Sequence, residues 1–208
     1  MKLHYAETIN ARKACVAAKH LNAPVEFVRL DLRKNEQSSP PFLALNPNGK
    51  VPVLELDDGR TLWESNAIVC YLAREARSDL YPTDERQIEL IRWLIWSSEH
   101  FNRYTFRLYF ENLVKPMFGL GAPNAAGVEE ANGLIRKYGA ILNDHLKGRR
   151  YILGDSLTVA DFILGISLPY APAAKIPLDG FTEIARWGER LNELPAWREP
   201  FPAAKAAA

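Results

Sequence analysis

The sequence predicts an α/β domain followed by an all-α one, and three observations carry that reading. Strand and helix signals alternate over the first 76 residues. Strand signals vanish from about Arg77 onward, where helical periodicities succeed one another with no further β-branched run of strand length. A chain of 208 residues, 48% hydrophobic and 25% charged, has the composition of a globular protein with a sizeable core.

Taken in order, KLHY (Lys2 to Tyr5) is a short strand and ARKACVAAKHL (Ala11 to Leu21) is rich in helix formers. VEFVRLDL (Val25 to Leu32) is β-branched and apolar, hence a second strand. PPFLALN (Pro40 to Asn46) has room only for a short helix. VPVLEL and TLW flank Asp57-Asp58-Gly59, whose Asp-Gly step predicts a hairpin. SNAIVCYLAREA (Ser65 to Ala76) predicts a helix capped by Ser65, with Ile68, Val69 and Leu72 on its apolar face. The order is βαβ, short helix, ββα.

RSDLYPTDE reads as a linker, so the division is 1–76, linker 77–86, and 87–208. IELIRWLIWSSEHFNRYTFRLYFENLV predicts one long, strongly aromatic helix. VEEANGLIRKYGAILNDHL repeats apolar residues at the three-and-four spacing of a helix face. Helices are also expected from Thr158 to about Leu168 and from Thr182 to about Leu194. The tail AAKAAA (203–208) is expected to fray.

Net charge is +1, from 26 basic and 25 acidic residues. Residues 1–76 hold 10 basic and 9 acidic side chains, so neither half is electrostatically specialised. This gives no pull toward nucleic acid or an anionic membrane, and neither partner is expected. No run approaches the roughly 18 apolar residues of a membrane span. Cys15 and Cys70 make no C-x-x-C or zinc pattern, which points to a reducing cytoplasm. His100 and His145 lack ligand spacing, so no metal site is expected.

Pro52 lies where a strand should begin, in NGKVPVL. A proline belongs at a strand start, on an edge or in a bulge, and the X-Pro bond is where a cis peptide is cheap. A cis Pro52 would turn the N–H and C=O of Val51 outward, an edge on which a peptide-like ligand can lay its backbone. The alternative is a loop proline that only ends an element. Glu64-Ser65 stands at a helix N-terminus, whose free N–H groups and positive dipole end suit a carboxylate. Ser65 suits the carboxylate and Glu64 a neighbouring ammonium, together an amino-acid head group. The plainer reading, a simple N-cap at Ser65, says little about Glu64.

These stretches resemble the glutathione transferase superfamily over nearly the whole chain. Asn46-Pro47-Asn48-Gly49-Lys50-Val51-Pro52-Val53-Leu54 matches N-P-x-G-x-V-P-x-L, and Glu64 to Leu72 matches E-S-x-A-I-x-x-Y-L. Gly154 to Asp161 resembles the G-x-x-x-T-x-A-D element, in which Thr158 and Asp161 form a capping box. The resemblance implies a thioredoxin-like, glutathione-binding N-terminal domain and an all-helical C-terminal domain supplying the electrophile pocket. It implies glutathione as co-substrate, with Lys50, Val51, Pro52, Glu64 and Ser65 in its site, and a cytoplasmic homodimer. Thr8 to Lys13, TINARK, is similar to the T-P-N segment of the bacterial nu-like class, departing at Ile9. There the threonine and asparagine approach the sulfur, and Gln37 falls in step with a glutamine that contacts the peptide. FENLVKPMFGLG resembles other bacterial members instead.

The thiolate of glutathione is the nucleophile, so donors must meet the sulfur. Thr8 and Asn10 at the start of the first helix are favoured, with Tyr5 the third candidate; Tyr5 is equally readable as a core aromatic. Cys15 lies more than a turn further in and reads as a buried small hydrophobe, as does Cys70. Tyr104, Phe106 and Phe110, with Phe101, Tyr109 and Met117, form the aromatic reservoir for an electrophile; an aromatic stripe is also core material. Arg103 and Arg107 reach the glycyl carboxylate or remain solvated. The implied reaction is attack on an electrophilic carbon, with disulfide reduction or a peroxidase-type activity beside it. The rival is a non-catalytic binding or regulatory protein of the same fold.

Overall fold

The computed structural model describes residues 1–203, so the expectation for the tail falls, apart from Ala203, outside the described residues. Two compact units form. One comprises Met1–Tyr81 together with the C-terminal residues from Asn192; the other is Pro82–Leu191.

The first unit is built on four short strands, β1 (Lys2–Tyr5), β2 (Glu26–Arg29), β3 (Val53–Glu55) and β4 (Thr61–Leu62), in the order β2-β1-β3-β4. β1 runs parallel to β2, with Leu3 opposite Phe27, and antiparallel to β3, with Leu3 opposite Leu54. β3 and β4 make the expected hairpin, with Gly59 at φ +83°. Helices α1 (Ile9–His20) and α3 (Ser65–Glu75) pack against one another, and α2 (Pro40–Leu45) is short as expected. Ala11, Ala14, Ala17 and Ala18 are all buried, and their small side chains let α1 approach its neighbours closely. Beside β3, Leu30, Phe42 and Val53 form a small core against which Leu45 and the side chain of Val51 pack.

The chain from Asn192 completes this unit. In α11 (Pro195–Arg198), Trp197 is buried; Arg12 of α1 donates from Nη2 to its carbonyl and lies 5.4 Å above its ring. Lys19 donates to the carbonyl of Glu199. Phe201 stacks on Tyr5 at 5.9 Å between ring centres.

The second unit is helical. The expected long helix is present without a break over 86–118, but as three α-helical stretches, α4 (Arg86–Trp96), α5 (Asn102–Tyr109) and α6 (Lys115–Phe118). Wide π turns at Ser97–Phe101 and Phe110–Val114 separate them, a distortion that hydrophobic spacing does not disclose. α7 (Ala125–His145), α8 (Val159–Leu164), α9 (Ala171–Ala174) and α10 (Thr182–Asn192) complete the succession. After α8 the chain tightens into a 3-10 turn, Gly165–Tyr170, that contains Pro169. The capping box at Thr158 and Asp161 is present. Asp161 is fully buried and accepts from Ile152 N, Thr158 N, Thr158 Oγ1 and Trp187 Nε1 at 2.8–3.1 Å. Among the described residues no helix is long and apolar enough to cross a membrane.

Candidate glutathione site

Within the first unit, three pieces of backbone carry the site. The first is the loop before β3. Asn46, buried, organises it from inside: its Nδ2 donates to Lys50 O at 2.7 Å and its Oδ1 accepts from Asn48 N at 3.0 Å. Gly49 takes φ +60°, and a Cβ there would stand 3.3 Å from Gln37 O, so the position requires glycine. The Val51-Pro52 peptide is cis, as expected. The side chain of Val51 is anchored in the small core. Its main-chain N–H and C=O have no hydrogen-bond partner among the described residues.

The second piece is the N-terminus of α1. Thr8 is its N-cap, with Oγ1 accepting from Ala11 N at 3.3 Å. That bond uses a lone pair and leaves the hydroxyl proton to donate. Thr8 and Asn10 are both half-buried. Just before the cap, Arg29 grips Glu7 with both ends of its guanidinium, at 2.6 and 3.0 Å, tying the turn to the end of β2.

The third piece is the N-terminus of α3, where the expected cap needs correcting. Glu64, not Ser65, occupies the cap position, with φ +71° and no side-chain capping bond. Ser65 is the first helical residue. Its hydroxyl turns to α1 instead of to its own backbone: Oγ lies 3.4 Å from Asn10 Oδ1 and 3.4 Å from Lys13 Nζ. The chain needs a left-handed step at Glu64 to enter α3, an uncommon conformation for a glutamate and one often found at functional positions.

Lys13 was not among the site residues expected from sequence. It is buried, and its Nζ also donates to Asn66 Oδ1 at 3.0 Å. Burial pushes its ammonium down to about 7, with the carboxylate of Glu64 pulling the other way. A lysine among the small residues of an alanine-rich helix was the available signal.

Gln37 lies against the Gly49 loop, whereas Tyr5 and the two cysteines are taken up by packing. Gln37 donates through Nε2 to Asn35 Oδ1 at 2.8 Å, while its Oε1 is buried without a partner. Tyr5 is packed edge-on to Phe27 and face-on to Phe201, and burial, with Glu7 and Cys15 nearby, raises its pKa. Cys15 is buried and Cys70 partly so; burial pushes each thiol up to about 12, so neither supplies a thiolate at neutral pH.

In the helical unit, Tyr104 stacks on Tyr138 at 6.0 Å, Phe106 is half-buried and Phe110 is exposed. Arg103 pairs with Glu99 and Arg107 with Glu130, at 3.6 and 3.8 Å. Among the described residues, no group of three or more His, Cys, Asp or Glu is gathered to hold a metal.

Comparison with known proteins agrees along the chain. The family model "Glutathione S-transferase, N-terminal domain" matches residues 1–74, and "Glutathione S-transferase, C-terminal domain" matches residues 100–195. The chain is 35% identical over 181 residues to Glutathione S-transferase 3 of Zea mays, covering 84% of this chain and 80% of that one. It is 31% identical over 205 residues to Probable glutathione S-transferase GSTF2 of Oryza sativa, covering 94% and 93%. The crystal structure of glutathione transferase F7 from Populus trichocarpa superimposes with a TM-score of 0.85 at 27% identity, over 96% of each chain. A glutathione S-transferase-I structure bound with lactoylglutathione does so with a TM-score of 0.84 at 25% identity, over 96% and 97%.

Proposed function

The chain belongs to the glutathione S-transferase family and is a glutathione-dependent transferase; from that premise we propose which of its residues do the work. The γ-glutamyl carboxylate of glutathione sits on the first turn of α3, taken by the free N–H groups there and by Ser65 Oγ. Glu64 pairs with the α-ammonium. The cysteinyl unit lies along Val51, exchanging main-chain hydrogen bonds with its unpartnered N–H and C=O. Gln37 and Lys50 hold the glycyl half.

The sulfur then lies at the N-terminus of α1. Thr8 Oγ1 and the Asn10 amide donate to it, and the dipole end of α1 favours its negative charge. The thiol proton leaves to water. The thiolate forms a bond to an electrophilic carbon, whose leaving group departs with the electron pair. Disulfide sulfur is the alternative acceptor, the thiolate displacing one of its two sulfurs. Tyr5 stands third, because burial keeps its phenol a poor acid. The exposed and half-buried aromatics of the helical unit, Tyr104, Phe106 and Phe110, are the wall we assign to an apolar second substrate.

The protein works as a cytoplasmic homodimer in this reading. Its two cysteines are free thiols, and Ile88, Ile91 and Ile95 make an exposed apolar stripe along α4.

The observation that supports the proposal is the contact of Ser65 with Asn10, which joins the N-termini of α3 and α1, the two helix ends to which we assign the carboxylate and the sulfur. The test is turnover of chlorodinitrobenzene and of hydroxyethyl disulfide by wild type, Thr8→Ala and Asn10→Ala. Loss of rate in both variants supports the assignment. Full rate in both removes Thr8 and Asn10 from the sulfur.

A further inference from the structure

No step of the reaction uses Lys13, yet it is 3% exposed and contacts Ser65, the residue assigned to the glutamyl carboxylate. Lysine is almost never buried this deeply without a partner that repays its desolvation. Its Nζ donates to Ser65 Oγ and to Asn66 Oδ1, both in the first turn of α3. An ammonium only donates. Ser65 Oγ is therefore the acceptor toward Lys13, and its single proton must point away from the lysine. It points at Asn10 Oδ1, 3.4 Å off.

We propose that Lys13 is a positioning residue for glutathione: its buried ammonium holds Ser65 so that the serine's one proton serves the γ-glutamyl carboxylate, and in its protonated form it places a positive charge one hydroxyl from that carboxylate. The inference rests on the proposed placement of the carboxylate on α3. A serine with no such neighbour is free to turn its oxygen to the backbone N–H groups of the first turn and accept from them, as an N-cap does. Here that alternative is closed by Lys13 on one side and by Glu64 taking the cap position on the other. The charge of Lys13 also acts where water is excluded, so it is felt by an anion it does not touch.

The test compares two ligands on three proteins by calorimetry. The ligands are glutathione and 4-aminobutanoyl-cysteinylglycine, which lacks only the α-carboxylate. The proteins are wild type, Lys13→Met and Lys13→Arg. Wild type is expected to prefer glutathione by roughly tenfold to a hundredfold, the range of a hydrogen bond to a charged group. Lys13→Met is expected to bind both ligands alike, and Lys13→Arg to restore most of the preference. A lysine that merely packed α1 against α3 would, when replaced, weaken both ligands equally and leave the preference standing; that result overturns the inference. If wild type itself shows no preference, it is the placement of the carboxylate that fails. Should Lys13→Met not fold, Lys13→Gln carries the same comparison, since it keeps a donor and loses the charge.

Discussion

Ser65 Oγ, in the first turn of α3, donates to Asn10 Oδ1, in the first turn of α1, across 3.4 Å. Fifty-five residues separate the two in sequence, yet both stand where a helix presents its free N–H groups and positive end. Two anion-friendly helix ends side by side suit a ligand with a carboxylate at one end and a thiolate in the middle. Ser65→Ala is expected to raise the KM for glutathione roughly tenfold, with a smaller change in kcat at saturation. Steady-state kinetics with glutathione varied checks this; an unchanged KM with a collapsed kcat would assign Ser65 to the chemistry instead.

Thr8 caps α1, and the sulfur-donating duty proposed for it can be separated from that one by substitution. Thr8→Ser keeps both the cap to Ala11 N and the hydroxyl donor, and is expected to keep stability and rate. Thr8→Ala loses the cap, about 1 kcal/mol, together with a donor to the sulfur. Thr8→Asp restores a capping oxygen and has no proton to donate at neutral pH. Melting temperature and the pH titration of the thiolate absorbance of bound glutathione separate the two. Thr8→Asp should melt near wild type, and its thiolate should appear only at higher pH.

Asp161 answers the question of which motif is structural. Burial pushes its carboxyl up to about 6, against the four hydrogen bonds that pull it down. Asp161→Ala strands Ile152 N–H, Thr158 N–H and Trp187 Nε1 in the core, each costing about 1–3 kcal/mol. We expect a loss of about 3 kcal/mol or more, hence a lower melting temperature, with the glutathione KM unchanged in the folded fraction. Urea unfolding of the variant measures the first and initial rates at low temperature the second. Unaltered melting with lost activity would make the residue functional.

The pH dependence of stability carries the signature of Lys13. Its folded value, about 7, lies below the 10.5 of a free lysine. Between those two values the unfolded chain binds the extra proton, so this group's contribution to stability grows as pH rises from about 7 toward 10.5 and is lost as pH falls through 7. Lys13→Met removes that slope. Urea midpoints of both proteins at pH 7, 8 and 9 should show wild type gaining on the variant at each step; a constant difference would mean that Lys13 titrates normally.

The C-terminal segment belongs to the first unit through Trp197, which is 1% exposed under Arg12. Trp197→Ala is expected to cost about 3–5 kcal/mol. Hydrogen exchange should report the loss as faster opening of α1. Unchanged protection of α1 would show that the segment does not brace it.

Much of the fold and of the site is legible in the sequence, and the reasons differ by residue. The Asp-Gly hairpin and the Thr158–Asp161 box each rest on a local rule, while the cis bond at Pro52, one of two readings open locally, follows from the resemblance of its motif. The burial of Cys15 is implied by its depth in α1. The features that escape depend on atoms distant in sequence or on fine backbone geometry. Ser65 looks like a cap because serines usually are; only the approach of Lys13 and Asn10, from another helix, turns its hydroxyl away. The π turns at Ser97 and Phe110 preserve the hydrophobic spacing of a continuous helix and leave no mark in it. The role of Asn46 inside its loop is hidden within a motif dominated by its proline.

A crystal structure with glutathione tests the central claim most directly. The sulfur is expected within hydrogen-bond distance of Thr8 Oγ1 or the Asn10 amide, the cysteinyl backbone paired with Val51, and the glutamyl carboxylate on the first turn of α3. A sulfur held by the Tyr5 hydroxyl, or a tripeptide bound with Val51 still unpaired, would contradict it.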